Sequence, residues 1–473
     1  MGGGTGKAGS GSVVGREAHA AAVGRLRDSY DAIPPDAPIR LAKRTSNLFR
    51  DRVRASTPGL DVSGLTGVVS VDVGGRTAEV QGFCTYEDLV EVTLARGLIP
   101  LVVPQLRTIT LGGAVAGLGI EATSFRNGLP HESVLEMDVL TGDGEVVTAA
   151  PNGPAADLFA AFPNSYGSLG YATRLRIELE PVPGYVDLRH VRFDDLDALA
   201  AAVERIVEDR AWGSTRVDGL DGVVFEPGEA YLTLATWREE PPPDGTSDYT
   251  GQQIYYRSLR EREHDVLTLH DYLWRWDTDW FWCSRAFGAQ HPRVRRLWPR
   301  RLRRSDVYHR LVGLENRYRV MARLDARRGR PARERVVQDV EIPVERTAEF
   351  LRWFDERVAM RPVWLCPLRL RRSDAGTDRP WPGYPLASGT TYVNVGFWGT
   401  VPIAAGARDG DVNRAIEQEV TDLGGHKSLY SDAYYDRATF DRLYGGGGLT
   451  QVKAHYDRQQ RLTGLYEKAV RRR

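Results

Sequence analysis

The segment TLGGAVAGLGIEATSFRNG, from Thr110 to Gly128, is rich in glycine. Four of its first ten residues are glycines. Glycine loses more conformational entropy on folding than any other residue, so a cluster of glycines needs a physical reason. Either the backbone turns tightly here, or a large ligand lies against it. Taken alone, such a stretch is most often a surface loop between two structured segments.

The glycine spacing differs from two common phosphate-binding motifs. A dinucleotide-binding GxGxxG motif closes a strand, opens a helix and is followed by an acidic residue about 20 positions further on. The run from Gly117 to Ala122 breaks this pattern at its last position, and no GK[ST] triplet follows that would indicate a P-loop. Neither motif accounts for the glycines.

The segments before the glycine stretch predict a hairpin, a helix and a strand. Residues 67–73 and 76–82 have strand character on either side of Gly74-Gly75, which is typical of a β-hairpin. Thr85, with Asp88 three residues later, is an N-cap signal for a helix that Gly97 ends. The apolar run at 98–104 then predicts a buried strand.

The segments after the glycine stretch continue this mixed pattern. Residues 133–140 and 145–150 flank a Gly-Asp-Gly turn as a second hairpin, and 155–162 predict a helix. Leu175, Ile177 and Leu179 alternate along the strand that follows Gly170. The fold class predicted for this part of the chain is α+β.

This order of motifs resembles the FAD-binding domain of the vanillyl-alcohol oxidase (PCMH) flavoprotein family. Further matches, in order along the chain, are similar to its 24-dehydrocholesterol reductase (diminuto) branch: 117–128, 163–182, 336–351, 363–370 and 424–444. Residues 41–50, LAKRTSNLFR, resemble an actinobacterial subgroup that reduces 10-methylene fatty acyl chains to 10-methyl chains, as in tuberculostearic acid synthesis. The resemblance implies FAD, NADPH as the electron donor, and reduction of an isolated carbon–carbon double bond.

The resemblance also implies a domain order and a set of flavin contacts. It places a Gly/Ser-rich tail and lead-in helix at 1–30, a two-subdomain FAD-binding domain at 31–183, an α+β substrate or cap domain at 184–400, and a C-terminal segment at 401–473 that returns to the flavin. Small residues would let backbone amides approach the cofactor closely. The implied contacts are Thr45, Ser46, Asn47, Pro104, Thr108, Thr110, Leu111, Gly112, Gly113, Gly117, Gly119, Ile120, Ser124, Gly170 and Ala172. Since no histidine lies between 21 and 130, attachment of FAD through a histidine in these loops is excluded, and we expect non-covalent FAD.

Reduction of an unactivated alkene needs a hydride and a well-placed acid, because the proton must reach a carbon. His426, Tyr430, Asp432 and Tyr434 are the candidates in the C-terminal segment, against a structural role in a tyrosine-rich strand. Glu121 is a further candidate, although binding a backbone amide is the favoured role for it. Lys427 is expected to be a solvated lysine rather than a neighbour of the flavin.

An aromatic and basic segment at 274–304 allows three interpretations. Trp274, Trp276, Trp280 and Trp282 could pack in the interior, line an acyl channel, or enter a membrane interface. Seven arginines follow between 293 and 304, which suits anionic headgroups or a salt-bridged surface. We expect peripheral membrane contact through this segment.

Composition limits the remaining function classes. Lys plus Arg and Asp plus Glu are equal at 63 each, so the charge balance does not favour nucleic acid as a partner. Three widely spaced cysteines give no zinc or disulfide pattern and favour a reducing, cytoplasmic setting, with peripheral contact at the inner face of the membrane. The N-terminus lacks the apolar core of a signal peptide, and no apolar run is long enough to span a bilayer.

The predicted function is therefore FAD- and NADPH-dependent reduction of a double bond in a lipid, with a methylene-branched acyl chain on phospholipid as substrate and no metal. The alternatives are reduction of a sterol side chain, and an FAD-dependent oxidase or dehydrogenase of alcohols or sugar lactones. A non-catalytic flavoprotein that partners a methyltransferase is the alternative from another class.

Overall fold

Two antiparallel β-sheets organise the chain, as a computed structural model shows for residues 12–42, 58–318, 323, 327–371, 381–384 and 386–470. The first sheet has six strands in the order β1-β2-β6-β4-β5, with β3 paired to β6. Its strands are β1 Val68–Asp72, β2 Thr77–Gln81, β3 Leu98–Pro100, β4 Val134–Leu140, β5 Val146–Ala149 and β6 Tyr171–Pro181. The helices of this part are α1 Gly15–Asp31, α2 Tyr86–Leu94, α3 Leu111–Ala116, α4 Ser124–Asn127 and α5 Ala156–Ala161.

The structure confirms most elements predicted for the first part. Both hairpins form, and the Thr85 side chain accepts a hydrogen bond from the Asp88 amide at the start of α2. Gly97 follows this helix with φ of +70°, a conformation that suits glycine. The strand predicted at 98–104 is shorter, because its pairing ends at Pro100, a residue that has no amide hydrogen to donate.

The second sheet has eight strands in the order β12-β7-β11-β10-β14-β15-β13-β16. The strands of the second part are β7 Tyr185–Phe193, β8 Ala211–Trp212, β9 Thr215–Arg216, β10 Gly219–Glu226, β11 Glu229–Arg238, β12 His264–Thr268, β13 Arg333–Pro343, β14 Val363–Leu368, β15 Tyr392–Pro402 and β16 His426–Lys427. Its helices are α6 Leu196–Asp209, α7 Tyr255–Glu261, α8 Leu269–Leu273, α9 Pro292–Leu297, α10 Ser305–Tyr318, α11 Thr347–Arg357, α12 Asp411–Asp422, α13 Arg437–Leu443, α14 Gly446–Tyr456 and α15 Leu465–Ala469. No helix in these described ranges combines the length and the apolar character that a membrane crossing needs.

The two faces of the eight-stranded sheet pack against different partners. Alternate residues such as Val340, Leu365 and Val395 join an apolar core with α6, α11 and α12. The residues between them, such as Trp364 and Cys366, join the core that also contains the first sheet. The second face therefore looks toward the predicted FAD-binding part of the chain.

The C-terminal segment runs back to the first part. The Lys468 ammonium donates to the carbonyl oxygens of Tyr166 (3.1 Å) and Gly167 (2.7 Å), and Lys453 donates to that of Ser168 (3.3 Å). The loop at 164–168, which precedes β6, is thus held by residues from the other end of the chain.

The four tryptophans at 274–282 are interior residues. All are buried, and the Trp276 indole donates to a carboxylate oxygen of Asp221 (2.9 Å). In this conformation these indoles do not reach a membrane interface, which leaves interior packing and the lining of an acyl channel as interpretations. Their packing joins the second sheet to the segment that follows β12.

Close contacts explain why two positions of the Thr110–Gly128 stretch are glycines. A Cβ at Gly112 would lie 2.6 Å from the Gly82 carbonyl oxygen, and one at Gly119 would lie 2.7 Å from Pro130 and 2.9 Å from Pro104. The stretch is therefore packed tightly against the first sheet rather than looped over the surface.

We expect Gly112→Ala to lower the free energy of unfolding by about 1–3 kcal/mol, because a methyl group there overpacks a rigid backbone contact. Denaturant unfolding would measure this loss. Gly228→Ala is the matched control, since nothing lies within 4 Å of its Cβ position. Equal stability of the two variants would contradict the packing role of Gly112.

Candidate functional site

The glycine stretch begins with a short capped helix. Thr110 is the N-cap of α3, and its hydroxyl accepts a hydrogen bond from the Gly113 amide (3.3 Å). The Gly112 amide donates to the carbonyl of Gly82 (2.8 Å), and the Leu111 amide donates to that of Cys84 (2.9 Å). These bonds fix the backbone of the stretch on the edge of the first sheet.

The loop at 164–168 lies against this stretch. The Tyr166 amide donates to the Ala116 carbonyl (2.7 Å), and the Tyr166 ring lies 3.1 Å from the Cβ position of Gly117. The structure thus brings the stretch 110–120, which holds predicted flavin contacts, against the loop that precedes the predicted contacts Gly170 and Ala172.

Buried polar atoms in this loop fit a polar cofactor. The side-chain amide oxygen of Asn164 and the hydroxyls of Ser165 and Ser168 are buried with no hydrogen-bond partner in the protein. A buried polar atom without a partner costs about 1–3 kcal/mol, so such atoms cluster where a ligand supplies the partner. The carbonyl and ring nitrogen atoms of a flavin have the required chemistry.

The remaining predicted flavin contacts fall on both sides of this junction. Pro104 packs beside Gly119, and the Ser124 hydroxyl accepts a hydrogen bond from the Glu121 amide (3.1 Å). Gly170, at φ of +134°, directly precedes β6, and Ala172 is the second residue of that strand. Buried Ile120 and half-buried Thr108 complete the 104–124 segment. Thr45, Ser46 and Asn47 lie outside the described residues.

A buried arginine connects the glycine stretch to the second sheet. The Arg275 guanidinium lies 3.0 Å from a carboxylate oxygen of Glu121 and 3.0 Å from one of Asp221, and all three side chains are almost fully buried. Burial raises the pKa of Glu121, and the positive charge of Arg275 opposes that rise. Glu121 was expected to bind a backbone amide; a hydrogen bond from the Ala122 backbone lowers its pKa, and the ion pair with Arg275 is an addition that was not predicted.

A second cluster of buried acids lies on the same face of the sheet. Glu341, on β13, accepts hydrogen bonds at one carboxyl oxygen from Ser428 (2.7 Å) and Tyr384 (3.3 Å). Its other oxygen is buried and has no partner in the protein. Burial raises the pKa of Glu341 to about 8 and that of its strand neighbour Asp339 to about 6.

The predicted residues His426 and Tyr430 belong to this cluster. His426 pairs with Glu341 in the ladder between β13 and β16, and its ring packs 5.0 Å from that of Tyr384. Burial lowers the pKa of His426 to about 3, so the imidazole is neutral and cannot serve as a cationic acid near neutral pH. The Tyr430 hydroxyl accepts a hydrogen bond from the Trp398 indole (3.0 Å), and burial keeps its pKa well above 10.

Three other predicted polar residues lie outside this cluster or differ from expectation. The Tyr434 ring lies under the Arg414 guanidinium (5.0 Å), at α12 on the opposite side of the sheet. Asp432 forms an ion pair with Arg335 (3.3 Å). Lys427 was expected to be solvated, but it is buried and donates to the Asp432 carbonyl (2.9 Å), with Glu417 3.7 Å away.

Sequence reasoning missed Asp221, Arg275, Asp339 and Glu341. Asp339 and Glu341, at alternate positions of the mostly apolar run VVQDVEIPV, were an available signal. A strand buried on both faces would place both carboxyl groups in the interior. Arg275, between two tryptophans, was a similar signal. Among the described residues, no group of three or more His, Cys, Asp or Glu side chains is arranged to hold a metal ion.

Comparison with known proteins adds the cofactor. The family model for the FAD binding domain matches residues 34–150. The chain is 24% identical to a Delta(24)-sterol reductase homolog of Caenorhabditis elegans over 80% of this chain and 73% of that protein. It is 23% identical to the Delta(24)-sterol reductase of Arabidopsis thaliana, over 89% of this chain and 78% of that protein.

A different relative aligns with only part of the chain. Cytokinin dehydrogenase 2 of Oryza sativa subsp. japonica is 36% identical over 181 residues, which cover 37% of this chain and 31% of that protein. Together with the FAD-binding domain and its partnerless polar atoms, these likenesses identify the chain as an FAD-dependent oxidoreductase with an α+β fold.

We expect Arg275→Met to lower the free energy of unfolding by about 3–5 kcal/mol, because it leaves two buried carboxyl groups without their cation. Urea unfolding of the FAD-loaded protein would measure this effect. Arg346→Met is the control, since Arg346 pairs with Glu349 on the exposed surface and its loss should leave the midpoint unchanged. Similar midpoints for both variants would contradict a central role for Arg275.

Proposed function

We propose that this oxidoreductase reduces a carbon–carbon double bond in a lipid, with NADPH as electron donor and a methylene-branched acyl chain on phospholipid as substrate. The likeness, over most of the chain, to proteins named Delta(24)-sterol reductases supports the reaction class. The observation that carries the proposal is Glu341, a buried carboxyl group whose pKa burial raises to about 8. Its hydrogen-bond donor Tyr384 follows Gly383, whose carbonyl accepts a hydrogen bond from Asn164 of the loop at 164–168.

The site is built to hold a proton in an apolar setting. Loop 164–168 and the glycine stretch would hold FAD without a covalent bond, and FAD reduced by NADPH would supply the hydride. Glu341 supplies the proton from its partnerless oxygen, and Ser428 and Tyr384 then stabilise the resulting carboxylate through its other oxygen. Proton transfer to the terminal CH₂ leaves positive charge on the carbon with two alkyl groups, where the hydride adds.

The surroundings of the acid favour an apolar substrate. Trp398, which bonds Tyr430, packs against Phe281 (ring centroids 4.4 Å apart) and Trp282 (5.5 Å apart). Aromatic faces of this kind suit a hydrocarbon chain and also stabilise developing positive charge. A sugar lactone or small alcohol would gain little from such walls.

A sterol side chain is the second candidate substrate, because the names of the relatives that align over most of the chain favour it. Both substrates carry an isolated double bond and require the same acid. A partner methyltransferase that makes the methylene precursor, and a cytoplasmic location at the inner face of the membrane, belong to the acyl-chain proposal.

We expect NADPH to bleach the flavin absorption of the purified protein under anaerobic conditions. Addition of phospholipid with a methylene-branched acyl chain should then restore the oxidised spectrum, because the alkene removes the electrons. Recovery with a sterol alkene alone would support the second candidate. Bleaching by an alcohol, with recovery by oxygen, would contradict both and indicate an oxidase.

We expect Glu341→Gln to slow alkene-dependent flavin reoxidation by about 10²–10⁴-fold, because the amide accepts the same hydrogen bonds but supplies no acid proton. Flavin reduction by NADPH should be unchanged. In the wild-type protein, reoxidation should fall as pH rises above about 8, where Glu341 loses its proton, and the variant should lack this dependence. Stopped-flow absorption at several pH values would measure both steps.

The exposed residue Glu349 provides the matched control, as Glu349→Gln should retain both the rate and the pH profile. A normal reoxidation rate in Glu341→Gln would assign the proton to another group.

A further inference from the structure

Exposed apolar side chains concentrate in one short segment of the described chain. Five large hydrophobic residues are exposed in the described part of the chain, and three of them, Val294, Leu297 and Leu302, fall within nine positions. Leu297 is 84% exposed, far more than the others. Burial of such residues would be favourable, so their grouping on one surface points to a partner.

Two buried arginines hold this segment in place. Arg295 forms an ion pair with Asp279 (2.7 Å) and donates to the Gly251 carbonyl (3.0 Å). Arg303 donates to the same carbonyl (2.6 Å) and to that of Trp298 (2.8 Å). With both side chains directed inward, the intervening residues of α9 and the following turn are presented outward as a fixed surface.

The outward surface is also basic. Arg293, Arg296, Arg300 and Arg301 are all exposed. Among the ion pairs of the described residues, Arg300 pairs with Asp248 (3.4 Å), and none of these pairs involves the other three. We call the exposed residues Arg293, Val294, Arg296, Leu297, Arg300, Arg301 and Leu302 the Leu297 patch.

We propose that the Leu297 patch docks the enzyme on an anionic phospholipid bilayer. The apolar side chains would enter the interface, while the arginines would contact lipid phosphates and complement the negative surface potential. A bilayer fits better than a folded protein partner, because unpaired arginines around a protruding leucine match a charged, deformable surface. The proposal rests on the proposed function only in that the acyl substrate is carried by phospholipid.

The position of the patch also suits delivery of a lipid. Trp298, at the base of the patch, packs against Tyr308 (6.2 Å between ring centroids). Trp282, earlier on the same segment, packs on Trp398, the residue that bonds Tyr430 in the Glu341 cluster. One continuous segment, 282–302, therefore runs from a residue that packs on Trp398 to the proposed membrane contact.

Vesicle sedimentation would test the proposal with the FAD-loaded full chain. Wild-type protein should bind vesicles of mixed phosphatidylglycerol and phosphatidylcholine, bind pure phosphatidylcholine far less, and dissociate at high salt. The triple variant Arg293→Gln, Arg296→Gln, Arg301→Gln should bind the anionic vesicles on the order of 100-fold more weakly, at about fivefold per arginine. Leu297→Ser should also weaken binding.

Val73→Ser is the matched control, because Val73 is exposed in the turn between β1 and β2, outside the patch, and its loss should leave vesicle binding unchanged. Absence of wild-type binding to anionic vesicles, or equal binding by the triple variant, would overturn the proposal and leave a protein partner as the occupant. Turnover of detergent-dispersed substrate should be retained in every patch variant. Failure of turnover in the wild-type protein would overturn the proposed function without affecting the vesicle result.

Discussion

The position of the glycine stretch relative to the eight-stranded sheet depends on the ion pairs of Arg275 with Glu121 and Asp221. Each residue comes from a different element: the glycine stretch, the eight-stranded sheet and the tryptophan-rich segment. Three charged groups without water are costly to assemble, so each must hold the others in position. Because Glu121 lies among the predicted flavin contacts, this pairing also fixes the glycine stretch relative to the sheet that carries Glu341.

The face of the eight-stranded sheet that shares a core with the first sheet carries buried polar side chains. Asp221, Asn394, Asp339 and Glu341 project from it, whereas the opposite face packs against helices mainly through apolar side chains. A protein gains no stability from buried, partly unpaired carboxyl groups, and their presence on one face is typical of a functional surface. The same face carries aromatic rings, so acid and hydrocarbon wall lie side by side.

Local signals in the sequence were sufficient for the elements, but not for the site. Thr85 and Gly97 mark the bounds of a helix through capping and a positive φ, and these are properties of a few neighbouring residues. The pairing of Arg275 with Glu121 joins positions more than 150 residues apart, and no local pattern encodes such a distance. For the same reason Lys427 was expected in solvent, although an ammonium on a two-residue strand is buried beside Glu417. Glu341 required knowing that both faces of its strand are covered.

The contacts of the C-terminal segment with the loop at 164–168 limit when that loop can be completed during synthesis. Lys468 holds the loop at Tyr166 and Gly167 across a separation of 302 residues from Tyr166. At about 5–20 residues per second, a ribosome needs roughly 15–60 s to synthesise that interval. During this time the loop has been synthesised but lacks its two hydrogen bonds from Lys468. The loop at 164–168 therefore gains its final contacts late, because they cannot form before residue 468 has been synthesised.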